Sequence, residues 1–191
     1  KKEKATAVID CSQSEKSVQV KVLLNDDVWM IGANAVISSS SPSTIYPWFY
    51  STQGRYEVFD GFYSPQLNNT RAAVIYYPPS YFENTLKTDY EVLIMHDGQN
   101  LFNASTSFLG IAWQCQDTLD TLIVEGGIRE VAVLAPYNTP DRTDEYTYSY
   151  DPTEQAGGKG DDYLDFLFDS FLPDVEVSTG GVRGGEGGRV C

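Results

Sequence analysis

The 191-residue chain carries 27 acidic against 13 basic side chains, a formal charge of −14, and is 41% hydrophobic. So anionic a surface argues against a nucleic-acid partner, which needs a cationic face for phosphates, and against an acidic membrane surface; the charge reads first as a solubility device. Length and apolar content suit a packed core, no apolar run approaches a bilayer span, and Cys11, Cys115 and Cys191 show neither metal-ligand nor redox spacing nor the even count of a disulfide framework.

Residues 1–17 are polar, with a short strand expected at Thr6–Ile9. Val18–Val22 alternates apolar and polar residues, the period of a half-buried strand, and Asn25-Asp26-Asp27 reads as a turn before a return strand at Val28–Ile31. Ser38–Ser43, with Pro42, reads as a connector. These signals divide the chain into a β-rich lead-in over 1–44, read either as a small accessory unit or as the first strands of the main sheet, a main α/β unit over 45–177 and a glycine-rich low-complexity tail over 178–191. Aromatic residues are dense between Ile45 and Tyr63. They read as strand-forming core and lid residues, with a carbohydrate platform built on Tyr46 and Trp48 as the alternative. Arg71–Tyr77 is a strand that Pro78-Pro79 stops, because proline brings no ladder donor.

The next segment organises the rest. Val92–Met95 is a short apolar run that breaks into the polar loop His96-Asp97-Gly98-Gln99-Asn100. In an open α/β sheet ligands bind at such strand ends, and Gly98 permits a positive φ or a close backbone approach. Trp113–Glu125 has apolar residues at Cys115, Leu119, Leu122 and Ile123, a helical spacing closed by Gly126-Gly127. Val131–Ala135 follows as a second buried strand. Strand, helix and strand make a parallel βαβ unit, which puts the long loop 136–160 over its C-terminal edge. Asp161–Leu172 reads as a helix with Leu164, Leu167, Phe168, Phe171 and Leu172 inward, ended by Pro173. Asp161, Asp165 and Asp169 on it read as a solvated acidic face rather than a metal site.

Val-Leu-Ile-Met-His-Asp-Gly-Gln-Asn-Leu-Phe over 92–102 resembles the strand and oxyanion-hole loop of an esterase branch of the α/β-hydrolases that includes esterase D-like, feruloyl-esterase-like and enterochelin-esterase-like enzymes. Three further stretches agree in order and spacing. They are Arg71 to Tyr81 (Arg-x-x-x-x-Tyr-x-Pro-Pro-x-Tyr), Arg142-x-x-Glu145-Tyr146, and Gly157-Gly158-Lys159-Gly160 before the acidic helix. The resemblance covers about Arg55 to Val177. It implies part of an α/β-hydrolase fold: a mostly parallel sheet with helices on both faces and antiparallel N-terminal strands. It implies hydrolysis of a small-molecule carboxylic ester through an acyl-serine, without cofactor or metal. By the same resemblance Gly98 and Gln99 are oxyanion-hole candidates, and His96, Asp97, Asn138, Arg142, Glu145 and Tyr146 are substrate-pocket candidates. For Arg142 and Glu145 the other reading is a structural salt bridge that pins the long loop.

A serine hydrolase of this fold also needs a G-x-S-x-G elbow followed in order by an acid and a histidine. No G-x-S-x-G occurs in the 191 residues, Ser178 lacks its flanking pattern, and the one histidine, His96, precedes the oxyanion loop. The expectation is a chain truncated before the nucleophile elbow, with Ser, Asp and His downstream and no activity of its own. The alternative is a non-catalytic carbohydrate-binding protein that uses the aromatic-rich N-terminal half.

Overall fold

In the lead-in, alternation yields two small antiparallel pairs. β1 (Ser17–Val20) pairs with β4 (Ala35–Ser38), and β2 (Leu23–Leu24) with β3 (Val28–Trp29), around Asn25 and Asp26, both at positive φ. The computed structural model describes residues 17–38, 44–179, 183–184 and 189–190. The strand expected at Thr6–Ile9, connector residues 39–43, most of the glycine-rich tail, Cys11 and Cys191 lie outside them. The return strand is shorter than the expected Val28–Ile31, because the Ile31 amide turns away to the Trp48 carbonyl at 2.9 Å.

The larger sheet is built from β5 (Arg55–Ser64), β6 (Asn69–Tyr77), β7 (Asp89–Ile94) and β8 (Val131–Pro136), with two-residue strands β9 (Arg183–Gly184) and β10 (Arg189–Val190) beside β7. Its order is β10-β7-β8-β6-β5. The sheet is mixed: β5–β6 and β6–β8 are antiparallel, whereas β8, β9 and β10 all run parallel to β7. A tight turn can join β5 to β6, but parallel β7 and β8 require the crossover through α1 (Cys115–Val124). That helix begins two residues later than the expected Trp113, since Gln114 adopts a left-handed conformation. It closes as the glycine pair predicts: Gly126 N–H bonds to Ile123 O and Gly127 N–H to Leu122 O, at 3.1 and 2.8 Å, a Schellman cap.

Strand alternation sorts the core into two clusters. Ala73, Ile75 and Tyr77 of β6 and Ala132 and Leu134 of β8 pack with Tyr163, Phe166, Leu167, Phe171 and Val175. Their neighbours Val74, Tyr76, Val133 and Ala135 pack instead with Leu119 and Ile123 of α1, Leu101 and Trp48. Trp48 is therefore a core residue: its indole N–H donates to the Ser51 carbonyl at 2.9 Å, and its ring fills the space a side chain at Gly32 would need. The carbohydrate platform loses its central ring, because a buried indole cannot stack on a sugar.

The C-terminal helix departs from expectation. It runs as α3 (Gly160–Asp165), a π-turn (Phe166–Phe171) and α4 (Leu172–Thr179), so Pro173 does not end it. Proline in a helix interior lacks a donor and clashes with the carbonyl four residues back; a widened turn immediately before it relieves both demands. The buried stripe also differs from the expected one. Tyr163, Phe166, Leu167, Phe171 and Val175 are buried, while the expected Leu164 and Phe168 are 46% and 47% exposed. Among the described residues no helix is long and apolar enough to cross a membrane, and no cluster of three potential metal ligands occurs.

Candidate active site

The ladder between β7 and β8 persists through Met95, whose amide donates to Leu134 O at 3.1 Å; the chain then breaks away at His96. The positive φ that the loop needs falls on Asp97 (φ 56°, ψ 45°) rather than on Gly98. Aspartate tolerates this region better than most residues do. Gly98 serves the close approach: a Cβ there would collide with the Ala135 carbonyl at the end of β8. A 3-10 turn spans Gly98–Asn100, closed by Asn100 N–H to Asp97 O at 2.8 Å and Leu101 N–H to Gly98 O at 3.3 Å. As the first two residues of the turn, Gly98 and Gln99 carry amides with no acceptor inside it.

The buried Asp97 carboxylate is gripped from the loop after β8. Arg142 donates from Nε to Oδ1 at 2.9 Å and from Nη2 to Oδ2 at 2.8 Å; Asn138 Nδ2 donates to Oδ1 at 2.7 Å and the Tyr146 hydroxyl to Oδ1 at 3.3 Å. The Arg142 hydrogen bonds, helped by Asn138 and by the Arg142 charge, hold the Asp97 pKa below the ordinary carboxylate value against the opposing effect of burial. Asn138 also reaches the turn itself, its backbone N–H donating to Gln99 Oε1 at 3.2 Å. Arg142 lies in the short helix α2 (Arg142–Glu145), which gives the long loop structure of its own.

Glu145 does not pair with Arg142. It turns inward and meets Arg71 of β6 in a two-pronged ion pair, Nη2–Oε1 at 2.7 Å and Nη1–Oε2 at 2.9 Å, with both side chains essentially inaccessible. Asn69 Nδ2 and Thr139 Oγ1 also donate to Glu145 Oε1, at 2.9 and 3.0 Å. Burial pushes the Glu145 pKa up, but these donors and the Arg71 charge outweigh it and leave the pKa low. The Arg71 guanidinium lies over the Phe166 ring at 4.7 Å.

His96 sits between aromatic rings, its centroid 5.1 Å from Tyr146 and 5.6 Å from Tyr163, with Nδ1 3.1 Å from the Tyr163 hydroxyl. Burial lowers its pKa below the usual histidine value despite the Asp97 charge, so the ring is neutral at pH 7. Of the residues picked out in the sequence, His96, Asp97, Gln99, Asn138, Arg142 and Tyr146 thus form one connected cluster at the ends of β7 and β8. Gly98 packs under it, and Glu145 braces it from the interior. Arg71 and Tyr163 were missed. The arginine that heads the apolar run Ala72–Tyr77 of β6 was the available signal for Arg71; Tyr163 had none beyond its place on a helix face.

Residues 64–181 match the family model described as "Putative esterase". The chain belongs to that family. Among solved structures, an IroE-like serine hydrolase from Shewanella oneidensis is 23% identical with a TM-score of 0.51, over 65% of this chain and 39% of that one. A ferulic acid esterase is 19% identical with a TM-score of 0.50, over 72% of this chain and 49% of that one. At such identities the likeness speaks to fold, and the fold of this esterase-family chain is α/β-hydrolase-like. The chain spans half or less of the length of these two structures. No curated protein matches it.

Proposed function

We propose that this chain supplies the oxyanion side of a site that hydrolyses small-molecule carboxylic esters, with the amides of Gly98 and Gln99 receiving the charge that develops on the carbonyl oxygen. The observation that carries the reading is the Asp97-centred clamp. Arg142, Asn138 and Tyr146 fix a left-handed residue immediately before two turn amides at the C-terminal end of a parallel strand. Preorganised donors of this kind lower an acyl-transfer barrier by about 3–4 kcal/mol each, because they need no reorientation as charge appears. Membership of the esterase family supports the reaction class.

In this proposal the nucleophilic serine, its histidine and the orienting acid are not drawn from these 191 residues. No G-x-S-x-G is present, and the one histidine is neutral, wedged between Tyr146 and Tyr163 and bonded to a tyrosine hydroxyl. The completed domain would carry a mostly parallel sheet with helices on both faces, extended past β7 where β9 and β10 already run parallel to it. Residues 45–177 would then be the first part of the hydrolase domain, with 1–44 an accessory β-unit.

The test is sequencing of the transcript through and beyond the codon for Cys191, followed by assay of the encoded protein on 4-nitrophenyl butyrate. The reading requires a strand ending in G-x-S-x-G with a later acid and histidine, and turnover blocked by a fluorophosphonate. A complete product without those residues, or one that contains them and turns over no ester, would overturn it.

A further inference from the structure

The segment between the Gly98–Asn100 turn and α1 hangs from that turn. Thr106 Oγ1 and Ser107 Oγ donate to the Gln99 carbonyl at 2.7 and 3.3 Å, the Phe108 amide donates to Asn100 Oδ1 at 2.8 Å, and the Trp113 amide to the Asn100 carbonyl at 2.8 Å. On this fixed frame sits Phe-Leu-Gly-Ile-Ala-Trp, and its large side chains face solvent: Phe108, Leu109, Ile111 and Trp113 are 76%, 79%, 70% and 54% exposed. Leu109 is moreover held at φ 59° and ψ 14°, a left-handed conformation that a leucine adopts only at a cost. Scattered exposed apolar residues are ordinary. Four within six positions, one of them strained and the first and last bonded to a candidate catalytic turn, are not.

We propose that Phe108–Trp113 is a preformed apolar flap that receives the hydrocarbon part of the ester, so that the site takes esters with an apolar group of several carbons rather than acetyl esters. The inference rests on the esterase reading of the adjoining turn. The flap needs no ordering on binding, because its backbone is tied to Asn100 at both ends and the residues just before it to Gln99; a hydrocarbon chain laid against it removes apolar surface from water on both partners. Charge adds selectivity of the same sign: the chain has a formal charge of −14, so an uncharged apolar group is retained where an anionic one is repelled.

The test is 15N NMR titration of the 191-residue protein with sodium octanoate and sodium acetate, which share a carboxylate and differ in hydrocarbon length. Octanoate is expected to shift the amides of 108–113 and to bind roughly ten-fold or more tightly than acetate, a modest share of what its extra methylenes would gain if fully buried. In the double variant Leu109→Ser, Ile111→Ser, whose sites are exposed and leave the core intact, that preference is expected to fall to near unity. Equal affinity for the two ligands, octanoate shifts elsewhere on the surface, or an undiminished preference in the variant would overturn the flap. Gly98 and Gln99 report separately. If octanoate binds the flap while neither carboxylate moves those two amides, the flap stands and the oxyanion reading of the turn is weakened. If both ligands move those amides without chain-length preference, the turn reading survives and the flap fails.

Discussion

Arg142 donates to both oxygens of the Asp97 carboxylate, and this one contact ties the loop after β8 to the turn after β7. The Asp97 side chain is 10% exposed and that of Arg142 51%, so solvent screens the pair and its worth is less than that of a sealed one. Arg142→Ala is expected to lower unfolding free energy by about 1–2 kcal/mol, since it strips two charge-assisted hydrogen bonds from a buried carboxylate. Arg142→Lys should recover less than half of that, because an ammonium cannot span both oxygens. Urea denaturation of the two variants checks the order; a lysine variant as stable as the parent would show that charge alone suffices.

The Arg71–Glu145 pair predicts a larger effect. Its two side chains are 1% and 0% exposed. Removing one member of a buried pair leaves the other charge without compensation, at about 3–5 kcal/mol. Glu145→Gln keeps an acceptor oxygen for Asn69 and Thr139, which both donate to Oε1, so it should fall near the lower end and still exceed Arg142→Ala. Thermal and urea unfolding of the two single variants side by side would reveal a reversed order, which would contradict the assignment of Glu145 as the internal brace.

Acid should unfold the chain in two stages. The folded pKa of His96 lies below 6.5, and those of Asp97 and Glu145 lie below 3.8 and 4.5. In each case the unfolded chain takes up its proton first as pH falls. The associated stability is complete above the unfolded pKa and is lost on the way down to the folded one. Unfolding free energy should therefore be flat only near pH 7, decline gently below about 6.5 as unfolded His96 protonates, decline more steeply below about 4.5, and fall again in alkali, where burial raises the pKa of Cys115 and of Tyr76, Tyr90 and Tyr163 and the unfolded chain gives up those protons first. A His96→Gln variant should lose the first stage and keep the second. Persistence of the gentle decline in that variant would assign it elsewhere.

Gly98→Ala tests the close approach. The backbone φ at Gly98 is not positive, so alanine brings no left-handed strain; it brings a methyl group into the Ala135 carbonyl. A backbone oxygen in a sheet cannot swing aside, and a loss of about 1–3 kcal/mol is expected from the forced separation of the turn from β8. Backbone amide shifts at Gly98–Leu101 should move with it. An alanine variant of parental stability would mean that the turn has slack.

Several of these elements were legible in the sequence because their causes are local. The apolar run of β7, the helical spacing and glycine pair of α1 and the apolar run of β8 each report on themselves, and a crossover of this length allows little but a parallel pair. Pro173 misled because the stop rule assumes an unbroken α-helix, whereas a π-turn before the proline removes the penalty; the face buried against β6 and β8 carries Tyr163 and Phe166 instead of Leu164 and Phe168. The structural reading of Arg142 and Glu145 was a salt bridge that pins the long loop, and each does pin it, but through a different partner: Arg142 through Asp97. The partner of Glu145 is instead 74 positions away, on a strand, and only the antiparallel approach of β6 to β8 brings it near. For Trp48 the first reading, a core aromatic, holds, and its burial against Gly32 removes it from the alternative platform.

The most direct measurement is hydrolysis of 4-nitrophenyl butyrate by the purified 191-residue chain, with and without fluorophosphonate, followed by mass spectrometry of its serines. With the oxyanion side of an esterase site in these residues and the nucleophile outside them, turnover should be no faster than with an equal concentration of unfolded protein, and no serine should be phosphonylated. Fluorophosphonate-sensitive turnover with the label on a serine of this chain would contradict that placement and move the nucleophile inside residues 1–191.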